Sequence, residues 1–197
     1  PEPMVSDFVN CGTDTRFPRE RDYQNDLDVA IKIAFAGILA KDETLLRKAA
    51  RYALSIGMCK NWQESFICST PGFLFDHKGF APSIYCRVVA VILDLAGELF
   101  TPTGIQFLVR RLGEEGLASI NWVVWKYSGP PEDIFDINQL VWFSWGRLPA
   151  YTAVEQYWPA AKAYTDLAYQ EICDSMQRVI LPDGGYEEGP TYFTSVA

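Results

Sequence analysis

Apolar residues recur along most of the chain at three- and four-residue intervals, the spacing that lines one face of an α-helix. Leu27, Ile31, Ala34, Phe35 and Ile38 predict a first helix from Asn25 or Asp26 to Ala40. Asp42 reads as an N-cap, and Leu45, Leu46, Ala49, Ala53 and Leu54 carry the period through a second helix. Gly57 is placed to close that helix as a C-terminal glycine, and so short a turn joins the pair as an antiparallel hairpin. A strongly apolar helix is expected over Ser83–Phe100, with Val88, Val91, Ile92, Leu95 and Leu99 on one side. Thr101-Pro102 has the form of a helix start with proline in the first turn, and Ile105, Leu108 and Leu112 extend that helix towards Lys126. Ser128-Gly129-Pro130-Pro131 breaks it. Further helices are expected over Ile134–Leu148 and Ala153–Ile180, the last ended by Leu181-Pro182-Asp183-Gly184-Gly185.

Two stretches lack the helical period. Residues 1–24 are rich in prolines and turn formers and are predicted to be irregular. Lys60–Pro82 contains Pro71, Gly72, Gly79 and Pro82 and reads as a long excursion of the kind that often lines a site. Within it Phe73–Phe75 is the one short run that could pair as a strand, and His77 is a loop residue. The fold class expected is therefore all-α, with residues 25–197 forming one helical region whose inner helices are apolar all round and outer ones amphipathic. A bundle, a solenoid and an α/α toroid all satisfy that pattern, and no clean internal repeat marks a regular solenoid.

Composition narrows the picture. The chain has 197 residues, of which 49% are hydrophobic and 14% aromatic, enough to bury a core and to exclude a disordered chain. Its 6 Trp, 10 Tyr and 12 Phe exceed what a plain helical bundle requires. Tyr and Trp combine an apolar face with a polar handle, which suits sugar-binding clefts as well as cores. The formal net charge of −8 makes nucleic acid a poor partner. It does not exclude an acidic polysaccharide, because overall charge sets solubility and steering rather than the chemistry of a pocket. Cys11, Cys59, Cys68, Cys86 and Cys173 form no CxxC pair, and with His77 the single histidine no zinc site is expected. No apolar run reaches the length of about 18 residues that spans a membrane, so no membrane partner is expected either. The chain begins Pro-Glu-Pro and stops at Ala197 in an apparent helix start, and so reads as an excised portion of a longer protein. Oligomeric state is left open.

Three motifs carry a resemblance. Pro182-Asp183-Gly184-Gly185-Tyr186-Glu187-Glu188-Gly189-Pro190-Thr191-Tyr192-Phe193 is similar to the turn of heparinase II/III-like polysaccharide lyases, which reads DG, aromatic, then EGP, any residue, Tyr. Leu93-Asp94-Leu95 through Leu99-Phe100-Thr101-Pro102-Thr103-Gly104 resembles their LTPEG helix-turn-helix. Asn138-Gln139, followed by Trp142 and Gly146, resembles the helix that carries their catalytic asparagine. The motifs stand in the family's order, and the separation of Asn138 and Tyr192 is comparable with that of the family's Asn and Tyr. The resemblance implies an incomplete α/α toroid from antiparallel hairpins, with the family's β-sandwich domains absent. It also implies a bacterial secreted or periplasmic setting.

The activity the resemblance implies is β-elimination on an acidic, uronate-containing polysaccharide such as a glycosaminoglycan or an alginate-like polymer, with no cofactor. Removing the C5 proton piles charge beside an ionised carboxylate, so a donor must neutralise that group as charge develops. An amide donates without adding a charge of its own, and by resemblance Asn138 has this role. A tyrosine with its pKa near ~10 needs a stabilised phenolate to act as base; by resemblance Tyr192 takes the C5 proton and protonates the leaving oxygen. Many relatives have histidine where this chain has Gln139, which can hydrogen-bond substrate but cannot be a base. Glu188 is expected to orient a substrate-binding group, and Trp62, Trp142 and Tyr186 are candidates for stacking on sugar rings, although core packing is the favoured reading for each. Without the resemblance, Asn138 reads as a helix N-cap and Tyr192 as a packing aromatic. Asp183, Glu187 and Glu188 then read as turn formers and helix-dipole partners, although paired carboxylates also fit a glycosidase. A non-catalytic carbohydrate-binding toroid is the alternative of another class.

Overall fold

The computed structural model describes residues 20–59, 62, 79–127 and 138–187. The helices are α1 (Glu20–Ala40), α2 (Glu43–Met58), α3 (Phe80–Ala96), α4 (Pro102–Arg111), α5 (Ala118–Trp122), α6 (Asn138–Tyr157) and α7 (Lys162–Val179). Two π-helical turns, Leu112–Leu117 and Val123–Tyr127, flank α5 and make one rod of α4 and α5. Short 3-10 turns at Gly97–Leu99 and Pro159–Ala161 precede α4 and α7. Among the described residues there is no strand, only a single antiparallel bridge between Ile180 and Tyr186. The all-α expectation holds.

Two predicted starts are built as the sequence suggests. The Asp42 carboxylate accepts from the Thr44 N–H at 2.8 Å and so caps α2. Thr101 accepts from the Gly104 N–H at 3.1 Å, with Pro102 in the first turn of α4. Each satisfies an N–H that the helix itself cannot pair.

Other boundaries differ. Helix α1 begins at Glu20, inside the segment expected to be irregular. Helix α3 begins at Phe80 rather than Ser83, because Pro82 falls in the first turn, where a missing N–H costs nothing. Gly57 does not close α2; the helix runs on to Met58, and a Cβ at Gly57 would lie 2.8 Å from both Leu108 Cδ2 and Phe107 Cε1. Its smallness admits α4 rather than ending α2. Most notably, the helices expected over Ile134–Leu148 and Ala153–Ile180 are divided elsewhere. Helix α6 continues through Pro149, and the break falls at Trp158-Pro159. An internal proline costs a helix about 3 kcal/mol. Here Phe143, Arg147, Ala150, Tyr151, Ala153 and Val154 are buried on both sides of it, and their packing outweighs the loss. The excursion from Lys60, with Phe73–Phe75 and His77, lies outside the described residues apart from Trp62, Gly79 and the first residues of α3.

Helix α3 is the element against which α1, α2, α6 and the first π-helical turn all pack. Tyr85, Cys86, Val88, Val89, Ala90, Ile92, Leu93 and Ala96 are buried around its circumference, as an inner helix requires. Its contact with α6 is the most extensive and the closest. The buried Ser83 hydroxyl donates to the Trp142 carbonyl at 2.8 Å, with the Phe143 carbonyl at 3.2 Å. A Cβ at Gly146 would stand 1.8 Å from the Ser83 carbonyl oxygen, so the two backbones touch directly. Gly116 makes a similar approach from the first π-helical turn, where a Cβ would lie 2.1 Å from Cys86 Sγ and 3.1 Å from the Trp62 ring.

The crossing gives a test. Gly146→Ala should destabilise the fold by at least about 3 kcal/mol, the upper range for an overpacked core, since the clash is with backbone. Gly113→Ala, whose Cβ meets nothing within 4 Å, should be neutral or stabilising by up to about 1 kcal/mol. Urea denaturation of both variants checks the contrast; equal midpoints would refute the crossing.

Candidate functional site

Helices α6 and α7 form an antiparallel hairpin, as two cross-helix pairs show. Tyr151 stacks on Tyr164, with ring planes 9° apart and centroids at 5.9 Å, and Arg147 pairs with Glu171. Nine residues separate Arg147 from Asn138, and as many separate Glu171 from Ile180. The first turn of α6 and the turn that follows α7 therefore lie at the same end of the hairpin. Of the expected site, Asn138 and Gln139 are the first two residues of α6 in backbone; their side chains, and all of Glu188 and Tyr192, lie outside the described residues. Trp142 lies one turn on from Asn138, on the same face of α6. It is partly buried and meets Trp145 edge to face at 5.4 Å.

The remaining candidates are placed in the core. Trp62 is fully buried and donates its indole N–H to the Ile56 carbonyl at 3.0 Å, with Tyr85 edge-on at 5.9 Å. It satisfies a carbonyl near the end of α2 and offers no face to a sugar. Tyr186 is 5% exposed and its backbone bridges to Ile180, so its ring belongs to the interior too. Asp183 is a turn former: its carboxylate accepts from the Gly185 N–H at 2.8 Å, while Gly184 takes a φ of 82°. That conformation favours glycine.

A second site was not foreseen. At the other end of α6 a pocket of about 710 Å³ opens between the α4–α5 rod and the α6–α7 hairpin. That volume lies within the range of about 300–1,000 Å³ usual for small-molecule sites. Trp125, Tyr151, Tyr157, Trp158 and Tyr164 supply its aromatic walls, and Gln106, Arg110, Glu114 and Asn121 its polar groups. Tyr151 follows Asn138 by 13 residues, so the pocket lies about 20 Å along the helix from the asparagine.

Behind the wall runs a buried polar chain. Trp125 donates its indole N–H to Glu171 Oε1 at 2.8 Å, and Glu171 Oε2 accepts from Arg147 Nη1. Arg147 Nε donates to Asn121 Oδ1 at 2.9 Å, and Asn121 Nδ2 donates to the Tyr151 hydroxyl. The guanidinium carbon lies 4.7 Å from the centre of the Trp125 ring, a cation–π contact. Arg147 is completely buried; its charge is tolerable because Glu171 neutralises it and the amide takes a further N–H. The sequence signal for this site is Arg147, Tyr151, Val154 and Trp158 at intervals of three and four, a stripe that reads equally well as core.

Among the described residues no group of three or more His, Cys, Asp and Glu side chains could hold a metal ion, and no helix is long and apolar enough to cross a membrane. Comparison of the chain with protein-family models, with curated proteins and with solved structures returns no match.

Two outcomes follow. Arg147→Ala leaves Glu171 buried without its partner and should cost about 3–5 kcal/mol, whereas Arg147→Ala combined with Glu171→Ala should recover part of that loss. A double-mutant cycle by chemical denaturation, read alongside the Trp near-ultraviolet dichroism, tests the coupling. Burial pushes the Cys86 thiol up, and it also raises the Tyr151 hydroxyl, against the hydrogen bond from Asn121 and the charge of Arg147. The folded state thus keeps protons that the unfolded chain releases. Stability should be fully present below about pH 8.5, fall above it, and fall faster above about pH 10 as Tyr151 adds to the cysteine. Burial also raises the Cys59 thiol, against the charge of Arg111, so Cys86→Ala should reduce the first part of that decline and leave the share of Cys59, in denaturation midpoints measured across the range.

Proposed function

We propose that this chain is the helical part, an incomplete α/α toroid, of a heparinase II/III-like polysaccharide lyase acting on an acidic, uronate-containing polymer by β-elimination. The observation that supports this reading best is the antiparallel α6–α7 hairpin, through which the first turn of α6, carrying Asn138, and the turn at Asp183–Tyr186 share one end. Tyr192 follows that turn by six positions in sequence. Asn138 donates its amide N–H to the uronate carboxylate as charge builds there, and Tyr192 removes the C5 proton. The electron pair of the C–H bond becomes the C4–C5 double bond, the C4–O bond breaks, and the leaving oxygen takes up the proton Tyr192 has received. Gln139 holds substrate by hydrogen bonds and takes no proton. Trp142, on the Asn138 face of α6, is the ring best placed to stack on a sugar.

A second reading, a non-catalytic carbohydrate-binding helical domain, is favoured by the aromatic pocket at the far end of α6. One assay separates the two. The whole protein is incubated with uronate polysaccharides and the ultraviolet absorbance of the new C=C bond is followed. Asn138→Ala should lower kcat by about 10²–10³-fold, as loss of one oxyanion donor does, and Tyr192→Phe by about 10²–10⁴-fold. Activity that survives both substitutions overturns the roles assigned. Sugar binding without absorbance on any uronate polymer supports the binding module, and new reducing ends without absorbance indicate a hydrolase.

A further inference from the structure

We propose that the pocket between the α4–α5 rod and the α6–α7 hairpin binds an uncharged pyranose unit of a saccharide, at a site separate from Asn138. Trp125, Tyr157, Trp158 and Tyr164 are 42%, 44%, 56% and 44% exposed, yet all four line this one cavity. Large rings left half open to water around a concavity mark a surface that takes a ligand.

Two of these walls, Trp125 and Tyr164, are held in advance of binding. Trp125 is fixed by its hydrogen bond to Glu171, and Tyr164 stacks on the buried Tyr151 and lies 6.3 Å from Trp125. Each ring is oriented by a neighbour that is itself bonded into the Arg147 chain, so little ordering is left to be done when a ligand arrives. Glu114 and Leu117 on one side and Trp125 on the other come from the two π-helical turns, a distortion of helices that is frequent at functional sites.

Charge selects the ligand class. Arg110 is paired with Glu114 at 2.8 Å, and Arg147 is paired with Glu171 behind the Trp125 ring. The lining thus carries no net charge to attract a uronate. What remains is flat apolar rings with Gln106, Asn121 and the Arg110–Glu114 pair beside them. Ring faces match the C–H faces of a pyranose, and the planar polar groups match its hydroxyls.

The proposal does not depend on the lyase reading, and cleavage forms no part of its test. Isothermal titration of the whole protein with cellotetraose, xylotetraose, mannotetraose and maltotetraose, and with tetragalacturonate as the charged probe, should detect binding of at least one uncharged probe. Trp158→Ala and Tyr164→Ala remove exposed rings, so the fold should survive, and each should weaken that binding by about tenfold or more, as loss of an anchoring aromatic does. Three results would overturn the proposal. They are no binding of any uncharged probe, binding unaffected by both substitutions, and tetragalacturonate binding more tightly than the uncharged probes with its affinity lost in Trp158→Ala.

Discussion

The fold depends on the contact between the backbones of α3 and α6. Where Gly146 meets Ser83 the two helices approach more closely than any side chain permits, and the Ser83 hydroxyl secures the crossing through a carbonyl of α6. A helix held this closely has no freedom to rotate. Phe143 is directed into the core on one side of the crossing, and Arg147, one residue beyond Gly146, is buried on the other. The same contact keeps α6 continuous through Pro149, whose cost is local while the burial on either side of it is extensive.

From Arg147 the constraint passes to the pocket. A fully buried guanidinium requires a neutralising partner and as many hydrogen bonds as the surroundings provide. Glu171 of α7, Asn121 of α5 and the ring of Trp125 supply a counter-charge, a further acceptor and a ring face, and in doing so tie three helical segments to one side chain. The aromatic walls are then a consequence: Trp125 and Tyr151 are each bonded to a member of the chain, and Tyr164 is stacked on Tyr151. The interior thus determines the shape of a surface cavity, and a change at Arg147 reaches both the core and the walls of that cavity.

The two ends of α6 have different chemistry. At its start stand Asn138 and Gln139, with Trp142 and Trp145 on the following turns and the Asp183 turn at the same end of the hairpin. At its finish the neutral aromatic pocket opens. A chain that cuts an acidic polymer at one end and holds an uncharged sugar at the other would grip a mixed polysaccharide at two places about 20 Å apart along the helix. In the arrangement proposed, the pocket would govern which polymers are retained, while Asn138 and Tyr192 would govern the reaction.

The all-α class, the helix starts at Asp42 and Thr101 and the turn at Asp183-Gly184-Gly185 were legible in the sequence. Each is decided by interactions within a few residues: a side chain capping its own helix, a glycine supplying a positive φ, or an apolar period of three and four. The resemblance rested on the same local scale, in short motifs read in order. What the sequence could not reveal required partners distant along the chain. Gly57 reads as a helix end until α4 is packed against it, and the helix expected to end at Leu148 runs on through Pro149 once α3 and α7 enclose it. Trp62 reads as a core ring or a sugar platform, and the Ile56 carbonyl and Tyr85 that cover it decide for the core. The pocket is the extreme case. Asn121, Trp125, Arg147, Tyr151, Tyr164 and Glu171 are separated by up to 50 positions and look like ordinary helical core and surface residues. Only the close crossing of α3 and α6, and the buried charge it fixes in place, brings them together.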